Sequence, residues 1–316
     1  MSEPHPTVTA PGKLMLSGEY AVLEGAPALV AAVDARALIS LGPDDADQPA
    51  RPTPEADAAR SLAEAELGAV EGRLRVDVSA LRSDGGTQKL GLGSSAAAAA
   101  GAAACVALAH GLDLDAERRR VLRWALAGHR AVAPEGSGAD VAACVLGGVV
   151  RFVRSKHESA RRLDWPDGLE LRVVWTGVEA RTSDFIQRVR AFESRDAVHF
   201  EALINRLSNE AERFADAFER GSPAPIVEQV GRYGHAMEAL GRAADAPIVE
   251  RTLRHVAALA REAGGAAKPS GAGGGDVAIA FFQSVNAAED FERRCQASEM
   301  AILPLRIDSS GVAAEG

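Results

Sequence analysis

The chain has 316 residues, 47% hydrophobic and 25% charged, which is apolar surface for sizeable cores and, at about 150 residues per domain, length for two domains. Asp and Glu number 44 against 35 Lys and Arg, giving a net charge of −9, and only 4% of residues are aromatic. That balance argues against a general nucleic-acid binder, which needs a basic footprint or stacking platform, but leaves room for a local pocket that holds a small anion.

In chain order, residues 8–17 read as extended segments broken at Pro11-Gly12, and 28–41 alternate β-favouring apolar residues as one or two strands. Residues 42–54, rich in Pro and Asp, read as a mobile surface loop. Helical periodicity covers 55–70, a short strand 74–78, and a loop 83–88. The run of alanines predicts a helix over 96–109. An amphipathic helix over 115–131, a helix over 137–146 and a strand over 149–153 follow. Pro166-Asp167-Gly168 is a turn signal and sets the expected boundary between domains 1–167 and 168–316. Beyond it come a strand at 169–175 and helices at 182–193, 197–219, 224–241 and 247–263. Strands at 277–282 and 301–307 flank a helix near 286–297. Both halves mix helix and sheet, so the class is α+β or α/β.

Cys105, Cys144 and Cys295 are odd in number and far apart, which fits reduced core thiols and no disulfide framework. No basic flank and apolar run opens the sequence, and the uncharged stretch 90–112 is too rich in Ala, Gly and Ser for a membrane span. A cytoplasmic protein with no membrane or nucleic-acid partner is the expectation.

Four glycine-rich segments carry the chemistry. Pro11-Gly12-Lys13 alone is a solvated turn. Gly91-Leu92-Gly93-Ser94-Ser95-Ala96 combines glycines, which let a ligand approach the backbone, with a helix start whose free N–H groups and dipole attract phosphate. Its serines can cap the helix, donate to phosphate or ligate magnesium; the plainer reading is an N-cap ahead of an alanine helix. A dinucleotide fingerprint ranks low because a polar loop, not a strand, precedes it, and no Walker A string exists in the chain. Gly136-Ser137-Gly138-Ala139-Asp140 puts a carboxylate at a helix start. Lys268-Pro269-Ser270-Gly271-Ala272-Gly273-Gly274-Gly275-Asp276 has more glycine than a hairpin needs, which points to positive φ or to close approach to a ligand or another loop.

In this order and spacing, PGKLMLSGEY, GLGSSAAAA and KPSGAGGGD resemble the three motifs of the GHMP small-molecule kinases over nearly the whole chain, and GSGAD is similar to the stretch carrying that family's catalytic aspartate. The resemblance implies an α+β two-domain fold, with an N-terminal α/β domain, a C-terminal ferredoxin-like domain and the active site in the cleft between. It implies ATP and Mg²⁺, with Lys13 and Asp140 catalytic, and Lys89, Gly91, Leu92, Gly93, Ser94, Ser95 and Ala96 on the nucleotide. Ser95 is the implied magnesium ligand. Lys13, Ser137, Gly138, Thr182, Ser183, Ser270, Gly271, Ala272 and Gly273 are implied on the acceptor, and Glu19 in support of the first motif.

The Lys-Pro-Ser start of the last motif, Asp276 at its end, His129-Arg130 and Trp175-Thr176-Gly177 are similar to the phosphomevalonate kinases of that family. A small phosphorylated acid is then the expected partner of a monomer or homodimer. Its pocket needs cations, for which Lys13, Lys89, His129, Arg130, Arg181 and Lys268 are candidates; Arg118, Arg119, Arg120 and Arg123 read as an exposed helix face. Mevalonate kinase and diphosphomevalonate decarboxylase remain alternatives of the same fold. A non-catalytic ligand sensor is the alternative of another class, weakened by the presence of both Lys13 and Asp140.

Overall fold

The computed structural model describes residues 5–43, 53–83, 88–155, 159–180 and 182–315. Most of the loop expected at 42–54, most of the loop at 83–88, the cation candidate Arg181 and the side chains of Thr182 and Ser183 lie outside the described residues. The chain divides into two compact units, one of Met1–Leu14, Val30–Val150 and Arg306–Gly316, the other of Met15–Leu29 and Arg151–Leu305.

β1 (Thr7–Ser17) and β2 (Pro27–Gly42) are long and largely buried because apolar residues dominate both faces. β3 (Arg73–Asp77) pairs antiparallel with β2, Leu38 opposite Asp77 and Gly42 opposite Arg73. With β4 (Val149–Val153), β5 (Ser159–Leu163) and β10 (Ala313–Ala314) they form a six-stranded sheet in the order β10-β1-β2-β4-β5, with β3 on β2. Four helices accompany it: α1 (Pro54–Leu67), α2 (Ser94–Ala109), α3 (Arg118–Val132) and α4 (Ala139–Leu146). Thr53 caps α1 by accepting from Ala56 N, with Pro54 at its first position. Every residue of α2 from Ala96 to Ala107 is buried. Small side chains all round let it lie against α1, α3 and α4 at once.

The second unit holds β6 (Glu170–Trp175), β7 (Ala266–Pro269), β8 (Val277–Phe282) and β9 (Ala301–Leu303) in an antiparallel sheet ordered β7-β8-β6-β9. The chain passes from β6 to β7 through α5 (Thr182–Arg195), α6 (Ala197–Glu219), α7 (Pro223–Ala243) and α8 (Arg251–Glu262), and from β8 to β9 through α9 (Val285–Ala297). Two strand–helix–strand crossovers, each stepping over one strand, make this a ferredoxin-like sheet. Leu253, Val256, Phe282 and Phe291 belong to one core of the unit, and Phe192, Leu207, Met237 and Leu240 to another.

Helix α8 begins at Arg251 and not near residue 247, because Glu250 accepts from the Thr252 and Leu253 N–H groups and caps it there. The sequence pattern predicts none of the strands β5, β7 and β10. SARRL and AAKP carry charge, proline and little β-branching, and a partner strand supplied from elsewhere in the chain overrides that local preference. No described helix is long and apolar enough to cross a membrane.

Candidate active site

In the first unit, Lys13 on β1 is held at both ends. Its N–H donates to Leu92 O at 2.9 Å, and its ammonium lies 3.3 Å from Asp140 Oδ2. Between those points the side chain runs across Gly93: a Cβ there would sit 2.7 Å from Lys13 Cγ and 2.9 Å from Cε. Gly93 has φ +79° and is itself the N-cap of α2, with no side-chain cap among the described residues. The serines therefore do not cap the helix; Ser94 and Ser95 are its first two residues, both half-buried. Leu92 is buried and can offer a ligand only its backbone, and Lys89 is exposed beside Arg82 in an isolated bridge.

Asp140 stands in the first turn of α4, whose N-cap is Gly138 at φ +86°. Its side chain is 35% exposed against 9% for Lys13, so the pair has one wet side and one dry side. The turn ahead of it is braced by the Arg130 guanidinium donating to Ser137 O at 2.9 Å, and by Ala139 N donating to Ser137 Oγ at 3.2 Å. Cys144, one helical turn after Asp140, has its thiol pushed up by burial and then by the Asp140 charge, so it stays a protonated core residue. Burial likewise pushes the Cys105 thiol up to about 12 and Cys295 to about 11.

In the second unit, the glycine-rich segment after β7 is built against its neighbours. Met15 N donates to Ser270 Oγ at 2.8 Å, Ser270 N to Val277 O at 3.0 Å, and Tyr20 Oη to Ala272 O at 2.6 Å. Gly274 N donates to Ile248 O at 2.9 Å, and a Cβ at Gly275 would meet Val178 O at 2.6 Å. Asp276, at φ +53°, receives the Ala180 N–H on Oδ1 and the Thr176 N–H on its carbonyl, joining the segment to the Trp175-Thr176-Gly177 stretch. Lys268, a candidate pocket cation from sequence, is fully buried, with its ammonium on the Glu19 carboxylate. Burial pushes the Glu19 carboxyl above its ordinary value, opposed by the Lys268 charge.

These geometries bear on phosphate and magnesium. Glycines at positive φ before an uncapped helix start fit a phosphate chain, since the leading N–H groups of α2 have no partner within the helix. Among the described residues no group of three His, Cys, Asp or Glu is arranged to hold a metal. A Ser95 hydroxyl with phosphate oxygens and water does fit Mg²⁺, which keeps several waters and takes few protein ligands.

Residues 56–148 match the model of the GHMP kinases N-terminal domain, and residues 214–300 that of the GHMP kinases C-terminal domain. The chain belongs to the GHMP kinase family. Among curated relatives of this GHMP kinase is a phosphomevalonate kinase from a Streptomyces species, 29% identical and aligned over 94% of this chain and 95% of the relative. A mevalonate kinase from Aeropyrum pernix is 28% identical over 93% of each. The fold is that of the Streptococcus pneumoniae phosphomevalonate kinase solved with phosphomevalonate and AMPPNP, with a TM-score of 0.80 at 21% identity, covering 95% of this chain and 99% of that one.

The Glu19–Lys268 pair and the tyrosines around it are not legible in the sequence of this GHMP kinase. Tyr233 Oη donates to Glu19 O at 2.8 Å, and Tyr20 reaches Ala272. The only local signal was that each charge sits inside a glycine-rich motif, where a buried acid or base is out of place.

Proposed function

We propose that the protein transfers the γ-phosphoryl group of ATP to the phosphate of 5-phosphomevalonate, forming 5-diphosphomevalonate and ADP. The observation that carries the phosphotransferase reading is the Lys13 ammonium 3.3 Å from Asp140 and packed across the glycine that opens α2. The phosphorylated acceptor is supported by the Streptomyces relative, which matches along nearly all of both chains.

Phosphoryl transfer asks a protein for in-line positioning and for positive charge at the equatorial oxygens, with little covalent work. In this reading the backbone of Gly91, Leu92, Gly93 and Ala96, with Ser94 and Ser95, cradles the β- and γ-phosphates, and Lys89 lies toward the nucleotide. Ser95 would supply a magnesium ligand, and Mg²⁺ held there would offset the charge of the phosphates. Lys13 stabilises the transferring group and the attacking oxygen, held on line by Asp140. A phosphate acceptor, with a second pKa of about 6, is already deprotonated near neutrality, so Asp140 orients Lys13 and substrate and has no proton to remove. We assign Ser137, Gly138, Thr182, Ser183, Ser270, Gly271, Ala272 and Gly273 to the acceptor.

The test is ADP release from the purified protein with ATP, Mg²⁺ and, separately, mevalonate, 5-phosphomevalonate or 5-diphosphomevalonate. Turnover with 5-phosphomevalonate is expected. ADP release with mevalonate alone would replace the reading by mevalonate kinase, and carbon dioxide release from the diphosphate by the decarboxylase.

A further inference from the structure

Among the described ion pairs, Glu19–Lys268 is the one with both side chains out of solvent, at 1% and 0% exposed. Taking two charges out of water costs more than a surface pair ever returns, so such a pair is weak evidence of added stability and asks for another reason. The reason lies in what the pair touches. Glu19 Oε1 accepts from Lys268 Nζ and from Gly271 N at 3.3 Å, and Lys268 Nζ also donates to Pro269 O at 2.6 Å. The Tyr233 ring lies 5.5 Å from the ammonium, while the Tyr233 hydroxyl holds the backbone of Glu19. Two charges thus tie residues 268, 269 and 271 to residue 19, and Met15 and Tyr20 tie residues 270 and 272.

Gly271 is the exception within this bound segment. A Cβ added to it would meet nothing within 4 Å, whereas at Gly273, Gly274 and Gly275 it would strike Ile248, Phe185 and Val178. Its amide is anchored to a buried carboxylate, and its other side is open. Neither charged side chain reaches solvent, so neither can touch a substrate directly.

We propose that Glu19 and Lys268 form a buried positioning pair that sets the Ser270–Gly273 backbone in its acceptor-binding conformation, with Gly271 as the residue it presents. The proposal rests on the assignment of that backbone to acceptor binding. In it, the pair acts on recognition of the acceptor and leaves nucleotide binding unchanged.

The test uses the full chain as wild type, Lys268→Met, Glu19→Gln and the double variant E19Q/K268M, which removes both charges and so avoids a lone buried ion that could prevent folding. In the unliganded protein, amide exchange over 268–276 is expected to quicken by about tenfold in the double variant, with other peptides unchanged. With ATP and 5-phosphomevalonate, the acceptor KM is expected to rise by about tenfold while the ATP KM stays within about twofold. A purely structural pair would instead move stability alone or both KM values together. Unchanged exchange with unchanged acceptor KM, or an equal rise in both KM values, overturns the proposal. If the wild type turns over no 5-phosphomevalonate, the functional reading fails by itself, and the exchange measurement still decides whether the pair sets the segment.

Discussion

Lys13 shows how one side chain becomes directed. Its backbone is fixed by Leu92 O, its methylenes by Gly93 and its ammonium by Asp140. A lysine left to itself samples many rotamers, and fixing them beforehand removes that cost from the reacting complex. Lys13→Met is therefore expected to lower kcat by about 10²–10³, as loss of one charge-stabilising donor does. Asp140 keeps 35% of its side chain in solvent, so the orphaned carboxylate is cheap and melting should stay near that of the wild type. Asp140→Asn discriminates between acceptors. With a phosphate acceptor it loosens Lys13 and costs less than Lys13→Met. With an alcohol acceptor it removes the base and costs at least as much. Steady-state kinetics with thermal melts check both variants.

At the scale of the element, α2 and the turn before it make the first unit's candidate site. An alanine at Gly93 must hold a left-handed backbone, at a cost of about 1–2 kcal/mol, and its Cβ would displace the Lys13 side chain. Gly93→Ala is expected to lose most of the activity that Lys13→Met loses while keeping the far-ultraviolet spectrum; near wild-type turnover would refute the account of how Lys13 is aimed. That glycine was legible in the sequence, because a backbone with φ above zero leaves its mark as a glycine. The alanine helix was legible too, since one small residue repeated leaves few other solutions. What stayed hidden is non-local. Nothing near Lys268 in the sequence announces Glu19, 249 positions away. The strand β7 borrows its order from β8. Three of the four glycines at 271–275 serve contacts with Ile248, Phe185 and Val178, a use that composition cannot separate from phosphate binding.

For the whole chain, the question is why its last residues return to the first unit. Asp34 N donates to Arg306 O at 3.0 Å, Asp308 N to Ala32 O at 2.9 Å, and Gly148 N to Asp308 O at 2.6 Å, so the segment completes backbone pairing on β2 and beside β4. Arg36 at its centre donates to Thr9 Oγ1 and Thr9 O, both at 3.0 Å, to Gly311 O at 2.6 Å and to the Asp308 carboxylate. The Asp308 side chain is 8% exposed and also accepts from Ser310 N and Gly311 N. Removing the guanidinium leaves a carboxylate only 8% exposed without its cation; since Arg36 itself is 22% exposed, the cost is about 1–3 kcal/mol, below that of a fully buried pair. Arg36→Met should therefore lower the urea midpoint by a corresponding amount at unchanged m. The control is Arg293→Met, where the Arg293–Asp290 pair is 66% and 36% exposed and should cost no more than about 0.5 kcal/mol. If the two variants unfold at the same midpoint, the terminal segment is merely laid on the sheet, and the stability of the first unit comes from its helices. If Arg36→Met falls alone, ten residues at the end of the sequence are part of the scaffold that holds β1, and with it Lys13, in place.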